Sequence, residues 1–194
     1  MSIFDALWII GLLVYQIGIY IPRVRSYKVK KRVTLVALPG DIFLELSTWV
    51  FWQLAPFFYI FGDLFSFADY TLPNWVSWIG VLIFGTSLWL YGRAYADLGA
   101  NWSARMEILR EQSLVTNGVY AYIRHPVYAA MFLWAIAQPL LIHNWVAGFG
   151  LLILFTPLYL TRMPREEKML TEHFGEAYQS YMQKTNRLTP FPRR

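Results

Sequence analysis

Residues 124–167 read RHPVYAAMFLWAIAQPLLIHNWVAGFGLLILFTPLYLTRMPREE. Two polar knots, Arg124-His125 and Arg162 to Glu167, bracket two apolar runs, Pro126 to Ile142 and Trp145 to Leu160, and only His143-Asn144 separates the runs. Each run is short of the roughly 20 apolar residues that carry a helix across the hydrocarbon. Joined by a two-residue turn, they predict a tight helical hairpin, whose second arm returns to the level where the first began. The two polar knots would then meet at one membrane face, and function is expected there.

Composition sets the solvent. Of 194 residues, 57% are hydrophobic, 19% aromatic and 15% charged, whereas a soluble domain carries about 25% charged residues. Such a chain is an integral membrane protein. It has no cysteine, which excludes disulfides, thiolate metal sites and a cysteine nucleophile. His125, His143 and His173 lack ligand spacing, so no metal is expected, and nothing points to nucleic acid. Met1 to Trp8 contains Asp5 and no basic residue, unlike a cleavable signal. Neither terminus carries a lipidation motif.

Working outward, Ile3 to Ile21 forms a first span that Pro22 is expected to end, and Arg23, Arg25, Lys28, Lys30, Lys31 and Arg32 follow. Gly40 to Phe61 is a second, with Asp41 and Glu45 near its entrance and Pro56 a kink. Trp75 to Tyr95 is a third, anchored by Trp75 and Trp78. Arg93 to Arg124 is too charged for lipid. With the hairpin arms this makes about five transmembrane helices in an all-α membrane domain spanning 1–194. Residues 1–100 hold spans 1–3, and 101–194 hold the hairpin, the polar knots and the tail, the part that the family resemblance given below makes cofactor-binding and catalytic. The Pro22–Arg32 loop, the Arg93–Arg124 segment and the tail after Leu160 are basic, while Gly62 to Asn74 and His143-Asn144 have no Lys or Arg. Five spans put all basic segments on one side, which the positive-inside rule makes cytoplasmic. After Pro164, apolar pairs recur every four residues from Met169 to Met182. They predict a C-terminal cytoplasmic amphipathic helix with Gly175 as a weak spot.

Taken singly, the polar knots have ordinary accounts. Arg124 can snorkel, Pro126 can start a helix, Glu166 and Glu167 can complement a helix dipole, and Arg162 can anchor at the interface. Brought together they form a site able to hold a zwitterion, with Arg or His facing a carboxylate and Glu facing an ammonium. A Rossmann cofactor site would need a glycine-rich turn after a strand, and neither is expected here.

Leu114 to Tyr120, Arg124-His125-Pro126-x-Tyr128, Glu166-Glu167, Phe174-Gly175-x-x-Tyr178-x-x-Tyr181 and Arg187-Leu188-x-Pro190 resemble the isoprenylcysteine carboxyl methyltransferase family. The likeness runs from Arg105 to the C-terminus. That family is membrane-embedded and uses S-adenosylmethionine, and its wider group includes phospholipid N-methyltransferases. The resemblance implies that Gln112, Ser113, Leu114, Val115, Tyr120, His125, Pro126, Val127, Tyr128 and one or both of Glu166 and Glu167 bind the cofactor. It implies that Arg162 faces the acceptor, that Arg162 and Glu167 serve catalysis, and that Leu188 and Pro190 close over the adenine. Gln112 stands where eukaryotic members commonly have histidine, and this chain has fewer N-terminal spans.

The implied activity is methyl transfer to the carboxylate of a lipophilic, isoprenylcysteine-like acceptor reached from within the bilayer among membrane lipids. The enzyme would sit in the cell membrane with a cytoplasmic active site. A carboxylate is ionised at neutral pH and needs no general base, so Arg162 as an orienting clamp suffices. A lipid-amine N-methyltransferase and a non-catalytic transporter or scaffold are the alternatives. The absence of a charge at the centre of any expected span weighs against transport.

Overall fold

The structure, a computed structural model, describes residues 1–26, 32–35, 39–62, 64–102, 107–109 and 112–191; at 26, 32–35, 39–41 and 107–109 the description is of the backbone alone. Lys28, Lys30, Lys31, Asp63 and Arg105, which figure in the sequence reading, lie outside the described residues. Helix dominates. The first leg runs α1 Ile3–Leu13, a π-helical turn Val14–Tyr20 and α2 Ile21–Ser26. The second runs α3 Pro39–Trp49, a π-helical turn Val50–Leu54 and α4 Ala55–Gly62. The third is α5 Asn74–Leu98. The hairpin follows as α6 Pro126–Leu141 and α7 Trp145–Phe174, and α8 Glu176–Lys184 ends the helical part. Among the described residues three helices, Ile3–Arg25, Asn74–Asn101 and Trp145–Phe174, are long and apolar enough to cross a membrane, and Pro126–Leu141 is a shorter apolar helix.

The legs alternate between two ends of the bundle. At one end Phe4 lies near Trp78 and His143, Tyr70 N–H donates to the His143 carbonyl at 3.0 Å, and Asn144 Nδ2 donates to the Phe65 carbonyl and Asp69 Oδ1 at 2.6 and 2.7 Å. The two turns without Lys or Arg therefore share an end. At the opposite end Arg23 sits 5.8 Å above the Trp102 ring. The second-leg residue Glu45 meets Arg162 there, and the chain around Arg124 meets the tail.

Three expectations change. Pro22 does not end the first leg, which continues to Ser26. No helix starts at Pro164: α7 runs unbroken through Pro157 and Pro164 to Phe174. Membrane helices tolerate proline where other groups satisfy the freed backbone. Pro157 and Pro164 leave the Ile153 and Leu160 carbonyls without their helical donors, and α7 continues past both. The break falls at Gly175, whose φ of +56° suits glycine, so the C-terminal amphipathic stretch is shared between the end of α7 and the separate α8. Third, the chain is not purely helical: β1 Arg32–Leu35 pairs antiparallel with β2 Glu107–Leu109, in register Arg32 to Leu109 and Leu35 to Glu107. This pair is not the strand-then-glycine turn of a dinucleotide fold.

The interior is aromatic. Trp134, fully buried, packs edge-on against Phe84, Tyr15 and Trp52. Buried Gln138 joins the legs by donating to the Phe51 and Ala147 carbonyls at 2.9 and 2.8 Å. Its Oε1 accepts from Trp134 Nε1. A polar side chain is tolerable at that depth because its hydrogen bonds are made.

Candidate active site

Pro126 as the first residue of α6 pre-sets helical φ and needs no amide partner. It also forces the preceding residue out of helix, and His125 is non-helical (φ −126°, ψ 63°). Arg124 and His125 consequently present their N–H groups sideways, where the tail takes them: Arg124 N donates to the Asn186 carbonyl at 2.9 Å and His125 N to Arg187 at 3.0 Å.

Upstream, Gly118 (φ +58°) opens a 3-10 turn, Gly118–Ala121, carrying Tyr120. The turn is held by Asp97 at the end of α5, whose Oδ2 accepts from Val119 N at 2.8 Å. A Cβ on Gly118 would lie 2.1 Å from that oxygen, so both the dihedral and the close approach require glycine.

The second knot arrives on α7, and the two meet. Glu167 Oε1 accepts from Arg124 Nε and Nη2 at 3.3 and 3.1 Å, and Oε2 from Arg187 Nε and Nη2 at 3.0 and 2.5 Å. Arg124 Nη1 donates to the carbonyls of Met182 and Thr185. Glu167 is thus a buried junction of α7, the Arg124 segment and the tail. Hydrogen bonding to Glu167 holds the Arg187 guanidinium above its ordinary range. Glu166 faces elsewhere: Oε2 accepts from Tyr128 OH at 2.8 Å, and Oε1 lies 3.7 Å from His125 Nδ1.

These residues border a cavity of about 590 Å³, within the roughly 300–1,000 Å³ of small-molecule sites. Gln112, Ser113, Leu114, Val115, Tyr120, His125, Pro126, Val127, Tyr128, Arg162 and Glu166 all line it. Glu167, Leu188 and Pro190 do not: Glu167 is turned into the ion-pair junction, Leu188 packs against the core, and Pro190 is exposed. Among the described residues four cavity-lining side chains carry a buried polar atom without a hydrogen-bond partner, Thr48 Oγ1, Trp52 Nε1, Arg162 Nε and Tyr178 OH, while His125 Nε2 lies 3.5 Å from Glu167 Oε1. Burial without a partner is costly, so orphans gathered on one cavity mark a place for a polar ligand. Burial raises the Tyr120 and Tyr178 phenols above their ordinary range and pushes Tyr181 up to about 12. All three are therefore neutral hydrogen-bonding groups at neutral pH. Among the described residues no metal-binding cluster of His, Asp or Glu occurs.

The match to known proteins follows the same residues. The family model described as isoprenylcysteine carboxyl methyltransferase matches residues 73–172, just over half of the chain. The chain belongs to the isoprenylcysteine carboxyl methyltransferase family. It is 30% identical over 145 residues to the human protein-S-isoprenylcysteine O-methyltransferase, covering 69% of this chain and 51% of that protein. It is 35% identical over 75 residues to the Schizosaccharomyces pombe protein of that name, covering 39% of this chain and 32% of the other. It is also similar in structure to a eukaryotic intramembrane Ras methyltransferase of this family, with a TM-score of 0.54 and 26% identity over 82% of this chain and 55% of the other. The chain thus spans about half the length, or less, of these relatives.

Sequence reasoning missed one wall. Glu45, Thr48, Trp49 and Trp52 of the second leg and Tyr15 of the first line the cavity, and Glu45 pairs with Arg162 across 117 positions. All lie before residue 73, outside the family match. The nearest local signal was an acidic residue in an apolar run, and nothing in the run names its partner.

Proposed function

We propose that this chain is an integral membrane methyltransferase that moves the methyl group of S-adenosylmethionine onto the carboxylate of a lipophilic, isoprenylcysteine-like acceptor. Bound in the cavity, the cofactor supplies an electrophilic methyl on a positively charged sulfur. Its fit rests on the cavity's size, on the Glu166 carboxylate held by Tyr128, and on the unpartnered Tyr178 OH. Gln112 to Val115, Tyr120, His125 to Tyr128 and Glu166 would hold it. Glu167 and the tail to Leu188 and Pro190 would act by fixing the backbone of Arg124 and His125.

One observation carries the acceptor. Among the described residues two guanidinium side chains line the cavity, and the N–H groups of Arg124 are directed to Glu167 and the Met182 and Thr185 carbonyls. Arg162, by contrast, is bonded through Nη1 to half-exposed Glu45 and keeps a buried, unpartnered Nε. A carboxylate is the natural occupant of that guanidinium edge. Its oxygen bonds the methyl carbon as the carbon–sulfur bond breaks, giving a methyl ester and a neutral thioether. No proton moves, so the protein's work is alignment and exclusion of water. Exposed Leu46 and Trp49 also line the cavity, and a lipid tail would enter past them.

In this reading all five legs cross the bilayer, the Arg124 end faces the cytoplasm and α8 lies at that interface. A single cysteine at Ser26 should react with membrane-impermeant reagent only from the cytoplasmic side; labelling only from outside would reverse the orientation. The activity itself is tested with labelled S-adenosylmethionine and a prenylcysteine acceptor. The product should release methanol in mild base, as an ester does, and a base-stable product would move the chain to the amine-methylating branch.

A further inference from the structure

The guanidinium assigned to the acceptor already holds one carboxylate of this chain: Arg162 Nη1 donates to Glu45 Oε1. Glu45 sits on α3, which packs against α7, and it differs from its surroundings. Ile42, Phe43, Leu46 and Trp49, its neighbours on the helix, are 46–71% exposed and form an apolar surface for lipid. An acid on such a surface is costly unless it is paired or reaches water. The Arg162 side chain is 18% exposed and that of Glu45 45%, so the pair stands at the edge of the cavity that both residues line.

Two carboxylate–guanidinium junctions thus lie beside one cavity, and they are held with different firmness. Glu167 is buried, with Oε1 taken by Arg124 and Oε2 by Arg187. Glu45 is half exposed, and its partner keeps a buried Nε with no acceptor. A half-exposed pair contributes little, because water and salt compete for both charges. The Glu45 carboxylate can therefore leave Arg162 and be hydrated close to where it stands. A second carboxylate that reaches both Nη1 and Nε makes a two-point contact in its place.

We infer that Glu45 is an internal competitor for the acceptor: it holds Arg162 until an acid displaces it, and it takes the guanidinium back from the uncharged ester. This deepens the proposed function and rests on it, since Arg162 must receive the acceptor's carboxylate. Exchange of one carboxylate for another keeps Arg162 paired throughout, and a partly buried guanidinium left without an anion is costly. The ester offers only a neutral carbonyl, and hydrogen bonds between two ionised groups are roughly twice as strong as those to neutral ones. Glu45 therefore yields to the substrate and prevails over the product. It touches neither reacting atom and acts through Arg162, as a positioning residue that tells acid from ester.

The test measures equilibrium binding of N-acetyl-S-farnesylcysteine and of its methyl ester to the full chain with S-adenosylhomocysteine present. The parent is compared with Glu45→Gln, which keeps the shape and removes the charge, and with Glu45→Ala, which removes the side chain. Each variant should bind the acid about fivefold more tightly, the upper worth of an exposed pair. The ester should tighten by less than about twofold, so the preference for acid over ester widens. In steady-state methylation KM for the acid should fall by the same factor as its dissociation constant. A purely structural Glu45 would do the opposite: without it Arg162 would lose its support, and acid binding would weaken together with the thermal transition. Unchanged or weaker acid binding in either variant, equal tightening of acid and ester, or no saturable binding of the acid would overturn the inference. Methyl transfer is scored separately. Selective tightening of the acid in a protein that does not methylate it would refute the proposed function and leave the exchange at Arg162 standing. Methylation of the acid with an unchanged KM in both variants would do the reverse.

Discussion

The two ends of the bundle each gather a histidine, an acid and an amide or arginine from distant parts of the chain, yet they differ in what is left over. At the His143 end every polar group of Asn144 is used: Nδ2 donates to Phe65 and Asp69, and Oδ1 accepts from Val146 N and Ala147 N at 2.9 Å. His143 Nε2 is 2.8 Å from Ser77 Oγ, and Tyr70 OH donates to the Pro139 carbonyl. At the Arg124 end Glu167 is equally saturated, but beside it lies a cavity ringed by polar atoms without partners. A completed hydrogen-bond network closes a fold, and an incomplete one around a space awaits a ligand. Residue type alone does not distinguish the two.

The contrast can be broken first at its strongest point. Glu167 and Glu166 are neighbours with opposite assignments, one structural and one facing the cavity. Glu167→Gln leaves Arg124 buried without its anion, and loss of one partner from a buried pair costs on the order of 3–5 kcal/mol. The thermal transition should fall sharply, with the tail released to protease. Glu166→Gln should leave the transition within a few degrees of the parent and weaken S-adenosylhomocysteine binding about tenfold or more, as loss of a charge-assisted contact does. If Glu167→Gln kept full stability and lost only cofactor affinity, the assignment would be inverted. A smaller effect is expected at the other end. Asn144→Ala removes the cap of α7 and its ties to the 65–69 turn, costing about 1–2 kcal/mol, and should leave cofactor affinity unchanged. A loss of affinity there would mean that the ends are coupled.

The hairpin is legible in the sequence because two apolar runs meet at His143-Asn144, and an asparagine before a helix reads as its cap. So is the meeting of the two knots, which follows from the hairpin alone. The continuity of α7 through Pro164 is not legible: a proline beside acids reads as a helix start in water, whereas a helix packed among neighbouring helices can run on past it. The split roles of Glu166 and Glu167 also escape the sequence, because adjacent residues on a helix point about 100° apart and the facing partners come from Tyr128 and Arg187. The pairing of Glu45 with Arg162 depends on how the second leg packs against α7, which no local pattern encodes.

The central claim is that Arg162 orients an acceptor already charged. A free alkylamine titrates near ~10, so its reactive fraction climbs about tenfold per pH unit across neutrality, whereas a carboxylate with a pKa near ~3.5 stays ionised throughout. The most direct measurement is the single-turnover rate of methyl transfer between pH 6.5 and 8.5, with cofactor prebound, for the parent and Arg162→Lys. A nearly flat profile is expected for the parent. Arg162→Lys should follow the same flat profile at a rate lowered by about tenfold or more, with S-adenosylhomocysteine affinity retained, because an ammonium cannot reproduce the planar two-point contact. A parent rate rising steeply with pH, or an Arg162→Lys variant as fast as the parent, would contradict it.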